Sequence, residues 1–162
     1  MSGDRFGELL GQVAQGRLSP EAALERLRHL PVDDLQYAQV DHVRPLLQGH
    51  QEVVFAQGKL PEQVVGICRS LAEATGAFLV TRADAPVREQ LRQAFPRADV
   101  NEVGRTVYLE PDPPPQPTGR GTVLIVTAGT SDLPVAEEAA VTAHAMGNRV
   151  ERLTDVGVAG VR

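Results

Sequence analysis

The spacing of apolar residues changes several times along the chain, and each change predicts an element. Phe6, Leu9, Leu10 and Val13 recur every three or four residues, which predicts a short helix over 5–15 that Gly16 stops. Ser19-Pro20-Glu21 then supplies a hydroxyl cap, a proline for the first helical position and acid in the first turn. Ala22, Ala23, Leu24, Leu27 and Leu30 give this second helix an apolar face, and Pro31 closes it. Helices of about ten residues are marginal alone. The pair therefore reads as a docking or oligomerisation element.

From Leu35 the period shortens. Tyr37-Ala-Gln-Val-Asp41 and Glu52-Val-Val-Phe55 read as strands, with Gly49 as a turn residue between them. A helix follows from Pro61 to Ala74, with Val64, Val65, Ile67, Cys68 and Leu71 inward and Gly76 as its stop. Ala77-Phe-Leu-Val-Thr81 is a further strand, Pro86 to Phe95 a further helix, and Val100 with Val103 to Leu109 one or two short strands. Alternation of this kind predicts an α/β fold with a partly parallel sheet. The stretch 111–121, Pro-Asp-Pro-Pro-Pro-Gln-Pro-Thr-Gly-Arg-Gly, suits neither helix nor ladder and reads as a stiff, extended connector. It is expected to divide a first α/β domain with its leading helices (1–110) from a second domain (122–162). The second domain opens with Val123-Leu-Ile-Val126, the continuous apolar run of a strand covered on both faces. A helix from Leu133 to Met146, ended by Gly147-Asn148, and a strand from Arg149 to Leu153 complete one βαβ unit. Two parallel strands lack independent stability, so this domain is expected to be truncated in the chain or to borrow strands.

Bulk composition narrows the classes. The 162 residues carry a net charge of -5, which argues against sequence-independent nucleic-acid binding. No apolar run is long enough to span a membrane, and Met1-Ser-Gly-Asp lacks the pattern of a signal peptide. A lone cysteine, Cys68, rules out an internal disulfide framework. A cytoplasmic protein is the expectation. Cys68 lies on the apolar face of a helix, where a buried thiol is inert. The histidines at 29, 42, 50 and 144 share no metal-ligand spacing, and His144 reads as a solvated face residue.

Chemistry is expected where the first strand of the second domain ends. Thr127-Ala-Gly-Thr-Ser-Asp132 is a small-residue turn between strand and helix, the geometry that presents backbone amides to an anion. Ala128 and Gly129 allow close approach, Thr130 and Ser131 offer hydroxyls, and Asp132 could hold ribose hydroxyls or a metal. Ser131 or Asp132 could equally cap the following helix. Asp155, Gly157 and Gly160 fall at the end of the second strand, at the same mouth, where the glycines could simply permit a tight turn. In the first domain Asp41, Arg44, Glu52 and Lys59 surround one hairpin. Arg44 and Lys59 could bind a phosphate or carboxylate, or the four could form a surface ion-pair network. Arg82, directly after a strand, is a comparable anion candidate.

Three stretches resemble the LarB family of nickel-pincer cofactor biosynthesis. They are Asp41-His-Val-Arg44 with Gly49 and Glu52 to Lys59; Val80-Thr81-Arg82; and Val126 to Ala139 with Gly147-Asn-Arg-Val150 and Asp155 to Gly160. The second domain of that family is similar in turn to class I aminoimidazole ribonucleotide carboxylase (PurE), so the resemblance implies a flavodoxin-type parallel sheet there. It also implies an enzyme that carboxylates the pyridinium ring of nicotinic acid adenine dinucleotide and hydrolyses its phosphoanhydride. The products would be pyridinium-3,5-biscarboxylic acid mononucleotide and AMP. Carbon dioxide or bicarbonate would be co-substrate, no cofactor would be tightly bound, Mg2+ is a candidate ion, and a homo-oligomer is implied. The family's ring-adding cysteine is expected beyond Arg162, so the catalytic residue is not identified in this chain, and Cys68 is not its equivalent. Two departures stand out around the first hairpin: Leu47 where the family has a second arginine, and Gln51 where it has a proline. The purine carboxylases carry a proton-shuttling histidine near 155–160. Asp155-Val-Gly-Val-Ala has none, which argues against a purine-pathway substrate. A noncatalytic nucleotide-binding or assembly module is the remaining alternative.

Overall fold

The computed structural model describes residues 3–28, 33–34, 39–40, 52–114 and 116–157. The chain forms two units, Met1–Val32 and Asp33–Arg162. The first holds α1 (Gly3–Ala14) and α2 (Pro20–Arg28). Gly16 takes a left-handed φ of 67° between them, and the Ser19 hydroxyl caps α2 by accepting from the Ala22 amide at 3.1 Å. Leu9 and Ala23 are buried, but Leu10 and Leu24, both assigned to apolar faces by spacing, are exposed. Periodicity marks a face without saying how wide a strip its neighbours cover. Leu30 and Pro31 lie outside the described residues.

The second unit begins with a two-residue antiparallel pair, β1 (Asp33–Asp34) and β2 (Gln39–Val40). Its main sheet runs β3-β4-β6-β5: β3 (Val53–Phe55), β4 (Phe78–Thr81), β5 (Asp99–Asn101) and β6 (Thr106–Leu109). β3 and β4 are parallel, joined by α3 (Pro61–Thr75) as a crossover requires, and the other two pairings are antiparallel. α3 ends on Gly76 at φ 73°. α4 (Ala85–Ala94) starts on the Asp84 carboxylate, which accepts from the Val87 amide at 3.0 Å. Val103 is exposed in the β5–β6 turn, so the expected run to Leu109 starts as a strand only at Thr106.

Successive strand residues face opposite ways, and both faces of this sheet are covered. Val54, Phe78, Val80, Val107 and Leu109 pack against Val64, Ile67, Cys68 and Leu71 of α3 and Val87 and Leu91 of α4. Phe78 meets Phe95 edge to face, with ring centroids 4.8 Å apart. On the opposite face Leu79 and Tyr108 pack on Val141 of α5 (Leu133–Ala145). That double cover explains why β4 and β6 are buried at every position.

α5 also connects the parallel pair β7 (Thr122–Val126) and β8 (Arg149–Leu153), a two-stranded sheet among the described residues. Here the apolar run misleads. β7 is not covered on both faces: Val123, Leu124 and Val126 are exposed, because α5 covers one face only. The connector 111–121 lies inside the second unit, and its Thr118 and Gly119 amides donate to the Gly147 carbonyl at 2.9 and 3.1 Å. No helix among the described residues is long and apolar enough to cross a membrane.

One contact limits how α5 sits. A Cβ added at Gly104, in the β5–β6 turn, would lie 2.8 Å from the Glu138 amide nitrogen and 2.9 Å from the Glu137 carbonyl carbon. Both obstacles are backbone, so neither can rotate away. Gly104→Ala is expected to destabilise the protein by about 1–3 kcal/mol through overpacking. Urea unfolding followed by circular dichroism measures this, and an unchanged midpoint would contradict the packing described.

Candidate functional site

The small-residue loop leaves the C-terminal end of β7 as predicted, and the segment after β8 joins it there. The Thr127 amide donates to the Leu153 carbonyl at 3.0 Å and the Val156 amide to the Thr127 carbonyl at 3.1 Å, extending the pairing past both strands. Residues 128–132 and 155–157 are therefore brought to one mouth, where ligands bind in parallel α/β sheets. Asp155 and Gly157 both adopt left-handed backbone, at φ 58° and 62°. Such a φ is uncommon for a residue with a side chain, and aspartate is among those that tolerate it best.

The loop's own geometry changes the role of Asp132. Thr130–Asp132 forms a short 3-10 turn before α5, and the Asp132 Oδ2 accepts from the amides of Ala128 and Gly129, both at 3.2 Å. The amides expected to cradle an external anion thus already hold an internal one. Asp132 does not cap α5 with its side chain. It closes the loop instead. Thr130 and Ser131 are exposed and carry hydroxyls with no hydrogen-bond partner among the described residues, and Asp155 is likewise exposed. At the root of the loop the Thr127 hydroxyl is buried without a hydrogen-bond partner among the described residues. Among the described residues the mouth therefore offers two exposed hydroxyls, the Asp132 carboxylate bound within the loop, the exposed Asp155 carboxylate, and no cation in the 127–132 loop. That set suits diol and hydroxyl recognition better than an array of bare phosphates.

Two of the cations proposed from the first domain, Arg82 and Lys59, are engaged elsewhere. Arg82, at φ 55°, directs its Nε at Glu138 of α5, 3.0 and 2.9 Å from the two carboxylate oxygens. A left-handed backbone at such a residue costs about 1–3 kcal/mol and persists only where its surroundings impose it; here the Ala83 amide donates to the carbonyl of Arg105, itself at φ 52°. The Lys59 ammonium donates to the Phe55 carbonyl at 2.7 Å, near the C-terminal end of β3. Arg44, Asp41 and Gly160 lie outside the described residues. Cys68 is completely buried, and desolvation pushes its thiol far above the ordinary cysteine range, so it stays protonated and unreactive. His144 is mostly exposed, as expected, but leans edge to face on Tyr108 at 5.9 Å and sits 3.5 Å from Glu110.

Spacing gave no hint of the polar centre that does form. Glu137 accepts a forked pair from Arg152 of β8, at 2.7 and 3.2 Å, and a further bond from the Asn101 amide at 2.8 Å. Asn101 uses its other end to accept from the Gly104 amide at 2.8 Å. The two acids are adjacent on one helix; their partners are Arg82 just after β4, Asn101 in β5 and Arg152 in β8, and only the fold assembles them. Burial pushes the Glu137 carboxyl upward, but the bonds from Arg152 and Asn101 outweigh it and hold the group below the ordinary value.

Residues 32–111 match the LarB/PurE-like N-terminal domain. The chain thus carries a LarB/PurE-like N-terminal domain over 32–111. An uncharacterised protein of Methanocaldococcus jannaschii is 31% identical over 127 residues, covering 75% of this chain and 49% of that protein. That match is longer than the 32–111 domain itself, while the chain spans only about half the length of this curated relative. Arg82, Asn101 and Gly104 belong to the LarB/PurE-like domain; the 127–132 loop and α5 lie after it.

Two outcomes check this geometry. Asp132→Ala is expected to release the Ala128 and Gly129 amides, raising their hydrogen-exchange rates by roughly tenfold, while the α3 core stays protected. Unchanged exchange at both amides would show that Asp132 does not close the loop. The depressed Glu137 carboxyl has a signed consequence for pH. Its stabilising contribution is fully present above the unfolded value, about 4.3 for a glutamate, and is lost as pH falls through the lower folded value. Glu137→Gln should therefore flatten the acid limb of a melting-temperature profile; a limb of unaltered slope would contradict the assignment.

Proposed function

We propose that the chain is the part of a LarB-like carboxylase–hydrolase that binds the nucleotide end of nicotinic acid adenine dinucleotide. The observation that carries this reading is the convergence of Thr130, Ser131, Asp132 and Asp155 at one strand mouth, in a chain whose residues 32–111 match the LarB/PurE-like N-terminal domain. In that role the Thr130 and Ser131 hydroxyls donate to phosphate oxygens. The unshared oxygen of Asp132 and the Asp155 carboxylate accept from ribose hydroxyls. Carboxylates that receive neutral hydroxyls repel a second anion, so the acids orient the sugar while the hydroxyls take the phosphate. Carboxylation joins carbon dioxide to the pyridinium ring, and hydrolysis of the phosphoanhydride releases AMP. The thiol that adds to the ring is not Cys68, whose burial keeps it protonated.

That burial favours a second reading, a noncatalytic nucleotide-binding module, for the chain taken alone. A purine-pathway carboxylase is disfavoured by Asp155-Val-Gly-Val-Ala, which offers no histidine to move a proton at the strand mouth.

The test is incubation of the full-length native protein with nicotinic acid adenine dinucleotide and bicarbonate, followed by mass spectrometry. AMP together with a doubly carboxylated mononucleotide is the expected result. Binding of AMP without either product supports the module reading. A folded full-length protein that neither binds nor converts the dinucleotide would overturn both.

A further inference from the structure

α5 is held from three sides by two adjacent acids. Glu138 takes Arg82 from the end of β4, at 2.9 and 3.0 Å, and its side chain is only 18% exposed. Glu137 takes Asn101 from the β5–β6 hairpin and the fork of Arg152 from β8. Gly104 lets the hairpin reach the α5 backbone at just these two residues. Directed bonds and close packing thus coincide at one point on the helix. Glu137 lies four residues into α5 from Leu133, about 6 Å along its axis at the helical rise. The 3-10 turn carrying Thr130, Ser131 and Asp132 joins α5 with no intervening residue. A shift or tilt of the helix start therefore moves the loop with it.

We propose that Glu137 and Glu138 are positioning residues for the 128–132 loop, and that Arg82, Asn101 and Gly104 of the LarB/PurE-like domain govern the loop through these two acids rather than by touching the ligand. This assigns Arg82 a partner other than substrate. Its guanidinium spends its directed Nε on Glu138, and its left-handed backbone aims it from the strand end toward the helix. Asn101 serves the same purpose with both ends of one amide, joining the hairpin turn to Glu137. The importance of the clamp for ligand binding rests on the nucleotide reading of the loop; the clamp itself does not.

The experiment compares Arg82→Glu, Glu138→Arg and the double swap in this chain, with Arg82→Asn as a milder variant that tolerates left-handed backbone. Amide hydrogen exchange is followed at Ala128–Leu133 and at Val64 and Ile67 in α3, alongside titration with AMP. Each single variant should exchange on the order of tenfold faster in the loop and first turn of α5, with α3 unchanged, and the swap should return most of the protection. AMP affinity should fall and recover in the same order. Rescue by exchanged charges is a response that a purely local packing role does not produce. Unaltered loop exchange in the single variants, or a swap no better than they are, overturns the proposal. If exchange follows the clamp while wild-type protein binds no AMP, the clamp stands and the nucleotide reading falls.

Discussion

One helix serving two sheets is the constraint on which this structure depends. α5 closes the connection between β7 and β8 and also covers the face of the main sheet that carries Leu79 and Tyr108. A helix in that position needs slim surfaces, and its Leu-Pro-Val-Ala-Glu-Glu-Ala-Ala-Val-Thr-Ala-His-Ala sequence supplies them. Apolar burial contributes most of the energy at about 25 cal/mol per Å², but it has no direction and tolerates sliding. Exposed ion pairs contribute about 0–1 kcal/mol each. The better-covered fork from Arg152 and the Arg82–Glu138 pair therefore matter chiefly for where the helix sits, not for how tightly it holds.

The same geometry limits the chemistry at the loop. Asp132 fills the amides that a simple strand–turn–helix motif would offer to phosphate, and Arg82 and Arg152 are neutralised by acids of α5. What remains at the mouth among the described residues is acidic and hydroxylic. Under the proposed nucleotide reading, such a site would meet a sugar through its carboxylates and a phosphate through its hydroxyls. The only thiol is in the core between α3 and the sheet, so nucleophilic chemistry is not its task.

Much of this was legible because local rules and tertiary demands agreed. Gly76 ends α3, and the run read as a strand over 77–81 is one over Phe78–Thr81, each for the reason its residue types suggest. The rule failed at Val123–Val126, where a continuous apolar run has only one covered face. A run of that kind records apolarity on both sides of a strand and cannot say which neighbour is present. Leu10 and Leu24 miss burial for the same reason.

The candidate site divides along a similar line. Short-range chemistry determined the loop from Thr127 to Asp132, its place between a strand and a helix, and the return of Asp155 to the same end, since each follows from residue type and connection length. Only the tertiary structure decided that Asp132 turns inward, that Arg82 reaches α5, and that Glu137 unites Asn101 with Arg152. These bonds join residues up to 56 positions apart. Their existence depends on how a helix lies across a sheet, a relation that no local spacing along the chain encodes.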